Sequence, residues 1–284
     1  MKRITVISGK GGTGKTVLTA SFASLARKRV LVDCDVDAAD LHLLLHPHIM
    51  ETHQFIYGST VRIDSDLCVE CGRCREVCRF SAIDVNYRVD SISCEGCLLC
   101  SRICPAEAIE MEENLAGEWY ISDTAYGPLV HARLGIGGEN SGKLVTTIKK
   151  RAQEIAQEGG YDYMIMDGPP GIGCPVFAAL SGSDTAVVVT EPTLSGIHDM
   201  ERVLDVAAHF GIDSHVVINK HDLHRGNAQA IVSLCKARDV SIAGYIPFSL
   251  AINEAIVQMV PPVEYCNPDV SNAIADIWNR VASL

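Results

Sequence analysis

The sequence has no apolar run long enough to span a membrane. A transmembrane helix needs about 18–20 consecutive apolar residues, and no run among the 284 residues reaches that length. The opening MKRITVIS lacks the long apolar region and cleavage site of a secretory signal, so it predicts a strand. The stretch Ser271–Leu284 contains Asp276 and Arg280 but no basic face, which disfavours a membrane-anchoring helix. We therefore expect a cytoplasmic protein without a membrane anchor.

A surplus of basic residues is also missing. The chain has 24 Lys and Arg residues against 35 Asp and Glu residues, which gives a formal net charge of -11. Because nucleic-acid binding depends mainly on Lys and Arg displacing counterions from phosphates, we do not expect nucleic acid as a partner. The acidic surplus also fits a protein that simply stays in solution, so it identifies no partner by itself.

Short apolar runs alternate with helical segments along most of the chain. This alternation predicts an α/β fold with a mostly parallel, doubly wound sheet covered by helices on both faces. It stops after Leu45 and resumes near Trp119. Since neither half of the pattern is complete alone, we expect one domain, 1–58 and 114–284, with a small inserted domain at 59–113. The predicted strands are 4–7, 30–32, 119–122, 163–166, 186–189, 215–218 and 242–246.

A phosphate-binding motif follows the first predicted strand and opens the first predicted helix. Glycines let backbone N–H groups close around phosphate oxygens, and the helix N-terminus adds positive potential. The motif places Lys15 on the β- and γ-phosphates and Thr16 on Mg²⁺. It therefore predicts a P-loop nucleotide site. The pattern G-x-x-x-x-G-K-[ST] is formed by Gly9, Lys10, Gly11, Gly12, Thr13, Gly14, Lys15 and Thr16.

A second stretch, Gly137 to Leu144, also fits G-x-x-x-x-G-K. Its last residue, Leu144, offers no Mg²⁺ ligand, and no clear strand precedes the stretch. We interpret it as a loop and a helix start, with a mobile switch as an alternative, and not as a second phosphate loop.

The lysine at the start of the phosphate loop points to a family. With Lys10, the segment G-K-G-G-T-G-K-T resembles the deviant Walker A ATPases, which include MinD, ParA, the Mrp-type cluster carriers and the nitrogenase iron protein. In that family this lysine reaches the nucleotide of the other subunit in a dimer. The resemblance implies a homodimer that encloses ATP and Mg²⁺ and slowly hydrolyses ATP to ADP and phosphate. A solvated loop cation is the alternative for Lys10.

Aspartates after two other predicted strands extend the resemblance. Asp33-Cys34-Asp35 is similar to the family's D-x-D element, which implies that Asp35 positions the attacking water and Asp33 lies near Mg²⁺. The segment D-G-P-P-G at 167–171 resembles the Walker B and switch element of the Mrp-type carriers. It implies that Asp167 holds Mg²⁺ through water, with a helix cap as the alternative. The implied catalytic residues are Lys10, Lys15, Asp35 and Asp167.

Two further residues are assigned to the nucleotide site by the resemblance. Asn219, followed by Lys220, is similar to the family's base-recognition position, and Pro247 lies in the related loop further on. A plain turn residue is the alternative for Asn219.

Eight of the twelve cysteines form two runs with the spacing C-x₂-C-x₂-C-x₃-C, the second completed by Pro105. In an intracellular chain, cysteines are expected as metal ligands or thiols before disulfides. Each cysteine of the second run follows its counterpart by 26 residues, as Ala108 follows Ala82 and Ile109 follows Ile83, which indicates an internal duplication. The spacing is typical of two 4Fe–4S clusters, whereas zinc, the rival metal, is usually held across a longer gap.

The cysteine pattern resembles the two-cluster bacterial ferredoxins, which are small α+β domains. In these proteins the fourth cysteine of each run binds the other cluster. One departure is Arg79, which replaces the usual proline after Cys78. It puts in question the local turn and the reduction potential of the cluster that Cys78 would bind. The resemblance implies one cluster on Cys68, Cys71, Cys74 and Cys104, and a second on Cys94, Cys97, Cys100 and Cys78.

Four cysteines lie outside these runs, namely Cys34, Cys174, Cys235 and Cys266, and the sequence assigns no role to Cys266. Cys34 and Cys235 have apolar neighbours, and we interpret them as small core residues. Cys174 lies seven residues after Asp167, the offset of a cluster-bridging cysteine in the nitrogenase iron protein. The resemblance implies a cluster ligand at the dimer interface, although the second bridging position matches Gly138. Simple packing is the alternative for Cys174.

The best overall match is to MinD/Mrp-like ATPases with an inserted ferredoxin domain, which the segments 127–133 and 190–196 resemble. Three functions stay open. The first is an ATP-dependent iron–sulfur or metallocofactor maturation factor that supplies an acceptor apo-protein. The second is a redox ATPase that couples ATP hydrolysis to low-potential electron transfer with a partner, and the third is a MinD/ParA-like positioning ATPase with sensor clusters. The D-G-P-P-G element narrowly favours maturation, while the ferredoxin spacing favours electron transfer.

Overall fold

The computed structural model describes residues 1–135 and 141–283. Within them, nine strands and eleven helices follow one another along the chain. The strands are β1 (Lys2–Ser8), β2 (Arg29–Asp33), β3 (His48–Ile63), β4 (Ile109–Asp123), β5 (Leu129–Leu134), β6 (Tyr163–Pro170), β7 (Thr185–Thr190), β8 (Asp213–Asn219) and β9 (Ser241–Ile246). The helices are α1 (Lys15–Leu25), α2 (Leu41–Leu45), α3 (Arg73–Val77), α4 (Leu99–Arg102), α5 (Ser141–Glu158), α6 (Cys174–Leu180), α7 (Leu194–His209), α8 (Arg225–Ala237), α9 (Leu250–Val257), α10 (Pro262–Tyr265) and α11 (Pro268–Ser283).

The strands form one sheet in the order β3-β4-β5-β2-β6-β1-β7-β8-β9. From β5 to β9 the neighbouring strands are parallel wherever their pairing is described. Parallel neighbours need a crossover segment, and the helices supply it. The prediction of a mostly parallel α/β sheet is confirmed.

Two apolar layers cover the central strands. Successive side chains of a strand point to opposite faces, so Val6 belongs to one apolar cluster and Ile7 to another. The first layer contains α1 and α11, whose Phe22 and Trp278 rings lie 5.2 Å apart between centroids. The second contains α7, with Met200 and neighbouring apolar side chains buried. Burial on both faces explains why the central strands read as unbroken apolar runs.

The seven predicted strands are confirmed, but the sequence pattern missed two features of the sheet. Strand β5 is interrupted in sequence by His131 and Arg133, so it has no apolar run to mark it. Because β5 ends at Leu134, a strand does precede the second G-x-x-x-x-G-K stretch, and the expectation that none does is wrong. Strand β3 is mostly exposed and polar, which hid it as well. Residues 137–140 of that stretch lie outside the described residues.

The chain divides into two compact units. The first unit comprises Met1–Thr52, Trp119–Arg133 and Ser141–Leu284. The second comprises His53–Glu118 and a short segment that begins at Leu134. The expected insertion, 59–113, lies within the second unit. In the described part of the chain, no helix is both long enough and apolar enough to cross a membrane.

Candidate functional site

The phosphate-loop residues lie between β1 and α1, at the carboxyl edge of the sheet. Gly12 and Gly14 have φ angles of 78° and 91°, a region that favours glycine. A side chain on Gly14 would also collide with Asn219, because a Cβ there would lie 2.5 Å from the Asn219 Nδ2 atom. A cavity of about 380 Å³ opens over this loop and the start of α1. The loop is therefore shaped to turn its backbone towards that cavity.

Lys15 lies buried among carboxylates. Its Nζ atom is 3.1 Å from Asp167 Oδ2 and 3.5 Å from Asp35 Oδ2, and the residue is 6% exposed. Burial by itself would lower the pKa of this lysine, but the carboxylates of Asp167, Asp35 and Asp33 outweigh it and raise the pKa. Lys15 is thus a charged group held at the end of the cavity.

Asp167 is tied to helix α1 by two hydroxyl groups. Thr16 Oγ1 donates to Asp167 Oδ2 at 2.7 Å, and Thr19 Oγ1 donates to Oδ1 at 2.9 Å. The carboxylate is fully buried in β6, at a position that pairs with Asp33 of β2. Helix α6 begins only at Cys174, with Gly173 at its N-cap, so Asp167 does not cap it. The sequence reasoning missed Thr19, which the one-turn spacing from Thr16 and Lys15 could have indicated.

Asp33 is the last residue of β2 and Asp35 follows two residues later, and the two aspartates have different surroundings. Asp33 accepts hydrogen bonds from the backbone N–H groups of Asp35, at 3.1 Å, and Leu41, at 3.2 Å. Burial, followed by the neighbouring Asp167 carboxylate, raises the pKa of Asp33 well above its ordinary value. Burial also raises the pKa of Asp35, although Lys15 partly offsets it. Three carboxylates thus act on one ammonium group, which raises the pKa of Lys15, while burial and the neighbouring Asp167 raise the pKa values of Asp33 and Asp35.

Lys10, at the start of the loop, is paired within its own chain. Its Nζ atom lies 2.5 Å from Glu191 Oε1 and within 3.4 Å of the hydroxyl groups of Thr193 and Ser195. The other oxygen of Glu191 lies 3.2 Å from Lys220 Nζ. Burial would raise the pKa of Glu191, but the two lysines outweigh it and lower the pKa. Glu191 therefore joins both lysines in one ion-pair network.

The role of Glu191 was not predicted from the sequence. It follows β7 directly, just as Asp33 ends β2 and Asp167 lies near the end of β6. An acidic residue at the carboxyl end of a parallel strand was therefore the signal that could have found it.

Asn219 lies at the end of β8 and contacts the phosphate loop. Its Nδ2 atom donates to the Thr13 carbonyl at 2.7 Å, and its Oδ1 atom accepts from the Lys220 N–H at 2.9 Å. Asn219 and Phe248 line the cavity, whereas Pro247 is not among its lining residues. In this conformation the Asn219 amide holds the loop, a contact that the base-recognition prediction did not include.

The second unit contains two small cavities, each lined by four cysteines. The first is lined by Cys68, Cys71, Cys74 and Cys104. The second is lined by Cys78, Cys94, Cys97 and Cys100. Each cavity therefore takes three cysteines from one run and the fourth from the other run.

The backbone of the second unit repeats with the same 26-residue offset as the cysteines. Asp64 N donates to Ala108 O and Asp90 N donates to Ala82 O, both at 2.8 Å, so the two halves exchange equivalent hydrogen bonds. Residues with positive φ also recur in pairs. These are Glu70 with Gly96, Gly72 with Leu98, and Ser81 with Glu107. The sequence duplication is thus a duplication of local structure.

The thiols of these cavities are grouped and partly buried. Burial, together with the neighbouring thiols of the same run, raises the pKa of Cys74 and of Cys100. The Ala108 N–H donates to Cys104 Sγ at 3.4 Å. Among residues 1–135 and 141–283, no three His, Cys, Asp or Glu side chains converge closely enough to hold a single metal ion.

The remaining cysteines behave in two ways. Cys34 and Cys235 are buried, and burial raises their pKa values to about 12 and about 11, so their interpretation as core residues is confirmed. Cys174 is exposed at the start of α6, and a Cβ on Gly142 would lie 3.6 Å from its Cβ. Gly138, the position matched to a second bridging cysteine, lies outside the described residues.

A family model describes most of this chain. The model of the CobQ/CobB/MinD/ParA nucleotide-binding domain matches residues 4–263, which include the phosphate loop, the three aspartates and Asn219. The chain belongs to this family.

Individual relatives agree with this assignment. The uncharacterized protein MJ0578 of Methanocaldococcus jannaschii is 33% identical over 282 residues, 98% of this chain and 96% of that protein. The septum site-determining protein MinD of Bacillus subtilis is 28% identical over 209 residues, 71% of this chain and 57% of that protein. Among solved structures, MinD of Pyrococcus horikoshii, complexed with Mg-ADP, superposes with a TM-score of 0.60 at 19% identity, covering 99% of this chain and 95% of that one. At 19% identity, the similarity to the Pyrococcus horikoshii structure shows a shared fold and nothing further.

The contact between Asn219 and Thr13 leads to a test of what Asn219 does in this family member. The substitution Asn219→Ala removes the amide group that donates to the Thr13 carbonyl of the phosphate loop. We therefore expect ATP binding and GTP binding to weaken by the same factor. The loss is about 1 kcal/mol, or roughly fivefold in affinity. Calorimetric titration with both nucleotides measures it. A residue that instead reads the base would change the ratio of the two affinities. The control is Lys236→Ala, an exposed residue of α8 that does not line the cavity.

Proposed function

We propose that the protein is an ATPase that binds Mg-ATP on the loop 9–16 and carries two 4Fe–4S clusters in its second unit. The nucleotide half of the proposal rests on one observation above all. Lys15, Thr16 and Asp167 contact one another next to the loop whose conformation depends on Gly12 and Gly14. These three residues bring together the groups that bind phosphate and Mg²⁺.

The residues present fit ATP and Mg²⁺. Backbone N–H groups at the N-terminus of α1 and the Lys15 ammonium suit phosphate oxygens. The Thr16 hydroxyl and the carboxylates of Asp33 and Asp167 are the oxygen donors that Mg²⁺ prefers. Thr13 Oγ1 is buried without a hydrogen-bond partner among the described residues, which leaves it available to a ligand in the loop. The Mg-ADP complex of the Pyrococcus horikoshii relative supports the same choice.

Asp35 is the residue we assign to the attacking water. It lies beside Lys15, and burial moves its pKa upwards, towards the working pH of a proton acceptor. In hydrolysis the water oxygen bonds to the γ-phosphorus as the bond to the β–γ bridging oxygen breaks, which releases ADP and phosphate. Asp35 would orient this water and accept its hydrogen bond.

Removing the lysine tests the nucleotide half of the proposal. We expect Lys15→Ala to lower ATP turnover by about 10²-fold or more, because the charge that stabilises the transferred phosphate is lost. Phosphate release measures turnover, and Lys236→Ala, an exposed lysine on α8, is the matched control. In Thr16→Ala, ATP binding should no longer gain from Mg²⁺, whereas Thr16→Ser should retain the gain. Undiminished turnover in Lys15→Ala would refute the assignment.

The proposed homodimer requires Lys10 to change partners. In the structure Lys10 is held by Glu191, and its side chain is 31% exposed. A lysine that reaches the nucleotide of another subunit must first leave this carboxylate. Glu191 therefore opposes dimerisation in the proposed cycle. The free-energy cost is that of breaking a partly exposed ion pair, up to about 1 kcal/mol.

Replacing Glu191 tests this part of the proposal. Without the carboxylate, Lys10 loses its ion pair and keeps only the neighbouring hydroxyl groups, so we expect Glu191→Gln to dimerise at an ATP concentration several-fold lower than the natural protein does. Light scattering after gel filtration measures the mass, and Glu191→Asp, which keeps the charge, should behave more like the natural protein. Lys10→Ala should bind ATP as a monomer. If Glu191→Gln needs as much ATP as the natural protein, the ion pair does not oppose dimerisation.

The cysteine cavities fit two four-iron clusters. Each offers four thiols, the complete ligand set of a 4Fe–4S cluster. Such a cluster binds each thiolate on a different iron, so its ligands stand farther apart than those of one ion. One cluster would be held by Cys68, Cys71, Cys74 and Cys104, and the other by Cys94, Cys97, Cys100 and Cys78. When bound, they would supply one-electron transfer.

The arrangement of the ligands favours resident clusters over delivered ones. Cys74 and Cys100 belong to the apolar core of the second unit, together with Val61, Ile83 and Ile109. Each cavity also joins the two cysteine runs, so releasing a cluster would take apart the centre of the unit. We therefore favour coupling of ATP hydrolysis to electron transfer over the maturation role that the sequence narrowly favoured. The similarity to MinD favours a positioning role, but that role gives no reason for two duplicated cysteine runs in the second unit.

Iron analysis tests the cluster half of the proposal. The anaerobically isolated protein should contain about eight iron and eight sulfide per chain. Cys74→Ser and Cys100→Ser should each lose about half of both, since each removes one buried ligand of one cluster. Cys266→Ser, outside the cavities, is the control. Zinc in place of iron, or an iron content that no cavity cysteine changes, would contradict the assignment.

The same preparation separates electron transfer from delivery. The reduced protein is incubated with Mg-ATP and either an apo-ferredoxin, which can accept iron, or an oxidised holo-ferredoxin, which can accept electrons, and the iron content of both proteins is measured. Oxidation of the donor by the holo-ferredoxin with unchanged donor iron supports electron transfer. Reconstitution of the apo-ferredoxin with loss of donor iron would restore the maturation role.

A further inference from the structure

The two cysteine runs are alike in spacing and backbone but differ in charge. Residues 68–89 contain four arginines and three acidic residues, a net charge of +1. The equivalent residues 94–115 contain one arginine and five glutamates, a net charge of −4. Glu70, Gly72 and Ser81 share a positive φ with their counterparts. Tyr87 has a positive φ as well, but its counterpart Glu113 lies in β4, so the two halves differ both in their side chains and in the turn around Tyr87. The first run therefore carries a basic character that its duplicate lacks.

Three of the arginines surround Tyr87. Arg73 and Tyr87 line the cavity that contains Cys68. The guanidinium carbon of Arg75 lies 6.0 Å from the centre of the Tyr87 ring, and Arg88 lines a groove with Tyr87. All three arginines are exposed, and none forms an ion pair with an acidic side chain in the part of the chain that the structure describes. Their charges are thus available to another molecule.

Tyr87 is a fixed centre for this group, because its hydroxyl donates to the Glu70 carbonyl at 2.6 Å. Beside it, Val69 lines the same cysteine cavity and is 65% exposed, although it is apolar. Exposed arginine, tyrosine and apolar side chains together are typical of protein interfaces. The equivalent positions of the second run hold Glu95, Leu99, Ser101, Glu113 and Asn114.

We propose that this arginine face, defined by Val69, Arg73, Arg75, Tyr87 and Arg88, docks a partner protein through a carboxylate-rich surface of that partner. Guanidinium groups pair with carboxylates in a planar, two-bond geometry, which suits a protein surface. The inference goes beyond the proposed ATPase, since it needs neither ATP nor dimerisation. The face lies at the first cysteine cavity, so a partner docked there sits beside the cluster proposed for it.

A protein fits this face better than a nucleic acid or a membrane does. Nucleic-acid affinity rises with the number of phosphates neutralised, and three arginines on a chain of net charge -11 supply few. A site for an anionic membrane typically uses a cluster of about four to eight Lys and Arg residues, more than this face has. A docked protein can, in addition, bury Val69 and the Tyr87 ring against its own apolar side chains.

The test uses an oxidised plant-type ferredoxin, a small protein with a carboxylate-rich surface, as the probe. Binding to the full-length, iron-loaded protein is measured by calorimetry at low ionic strength. The triple variant Arg73→Gln/Arg75→Gln/Arg88→Gln should bind about tenfold more weakly or worse, and added salt should weaken the natural complex. The matched control, Glu95→Gln/Glu113→Gln at the equivalent positions of the second run, should bind equally well or more tightly.

Several results would overturn the proposal. They are the absence of saturable binding by the natural protein, equal affinity for the triple variant, or an equal loss in the glutamate control. Binding of duplex DNA or of phosphatidylserine vesicles, lost in the triple variant while the ferredoxin does not bind, would assign the face to another class of partner. Iron content and visible absorption report whether a variant has kept its fold. If the triple variant loses iron, Arg88→Gln alone, outside helix α3, must show a partial loss of binding.

Discussion

The first unit depends on one buried charge contact, between the Lys15 ammonium and the Asp167 carboxylate. The lysine begins α1 and the aspartate belongs to β6, so the contact joins the phosphate loop to the neighbouring strand. A charge buried at this depth needs a partner, because an unpaired one is strongly destabilising. Lys15 has Asp35 and Asp33 nearby as well, and Asp167 has the hydroxyl groups of Thr16 and Thr19. Each group at this edge is thus placed by the charge or hydrogen bond of another.

The second unit is organised by cysteines to an extent that the first is not. Its apolar core is small, and Cys74 and Cys100 are part of it alongside Val61, Ile83 and Ile109. So small a core supplies little hydrophobic stabilisation. Residues of this core line each of the four-cysteine cavities. The exchange of one cysteine between the runs parallels the backbone hydrogen bonds from Asp64 to Ala108 and from Asp90 to Ala82. If the proposed clusters are bound, their ligation by the cysteines would compensate for the small apolar area.

Much of the fold could be predicted because its signals are local. Central strands such as β1 and β7 are buried on both faces, which forces an apolar run in the sequence. The phosphate loop was equally visible, since Gly12 and Gly14 are required by their positive φ values. Strand β5 was not visible, because His131 is buried there against Ser122 through a hydrogen bond of 2.9 Å rather than by apolar packing. A buried polar residue of this kind interrupts the apolar run that would otherwise mark the strand in the sequence.

The sequence by itself determined the phosphate loop, the order of the central strands along the chain and the duplication of the cysteine runs, because each depends on residues close in the chain. The resemblance to two-cluster ferredoxins had already implied that one cysteine of each run joins three of the other, and the two cavities group the same cysteines. Only the tertiary structure decided that Glu191 meets Lys10 and that Asn219 meets the Thr13 carbonyl. The physical reason is that parallel strands bring their carboxyl ends to one edge whatever their separation in sequence. Contacts of that kind depend on the order of the strands in the sheet, and no local sequence pattern encodes that order.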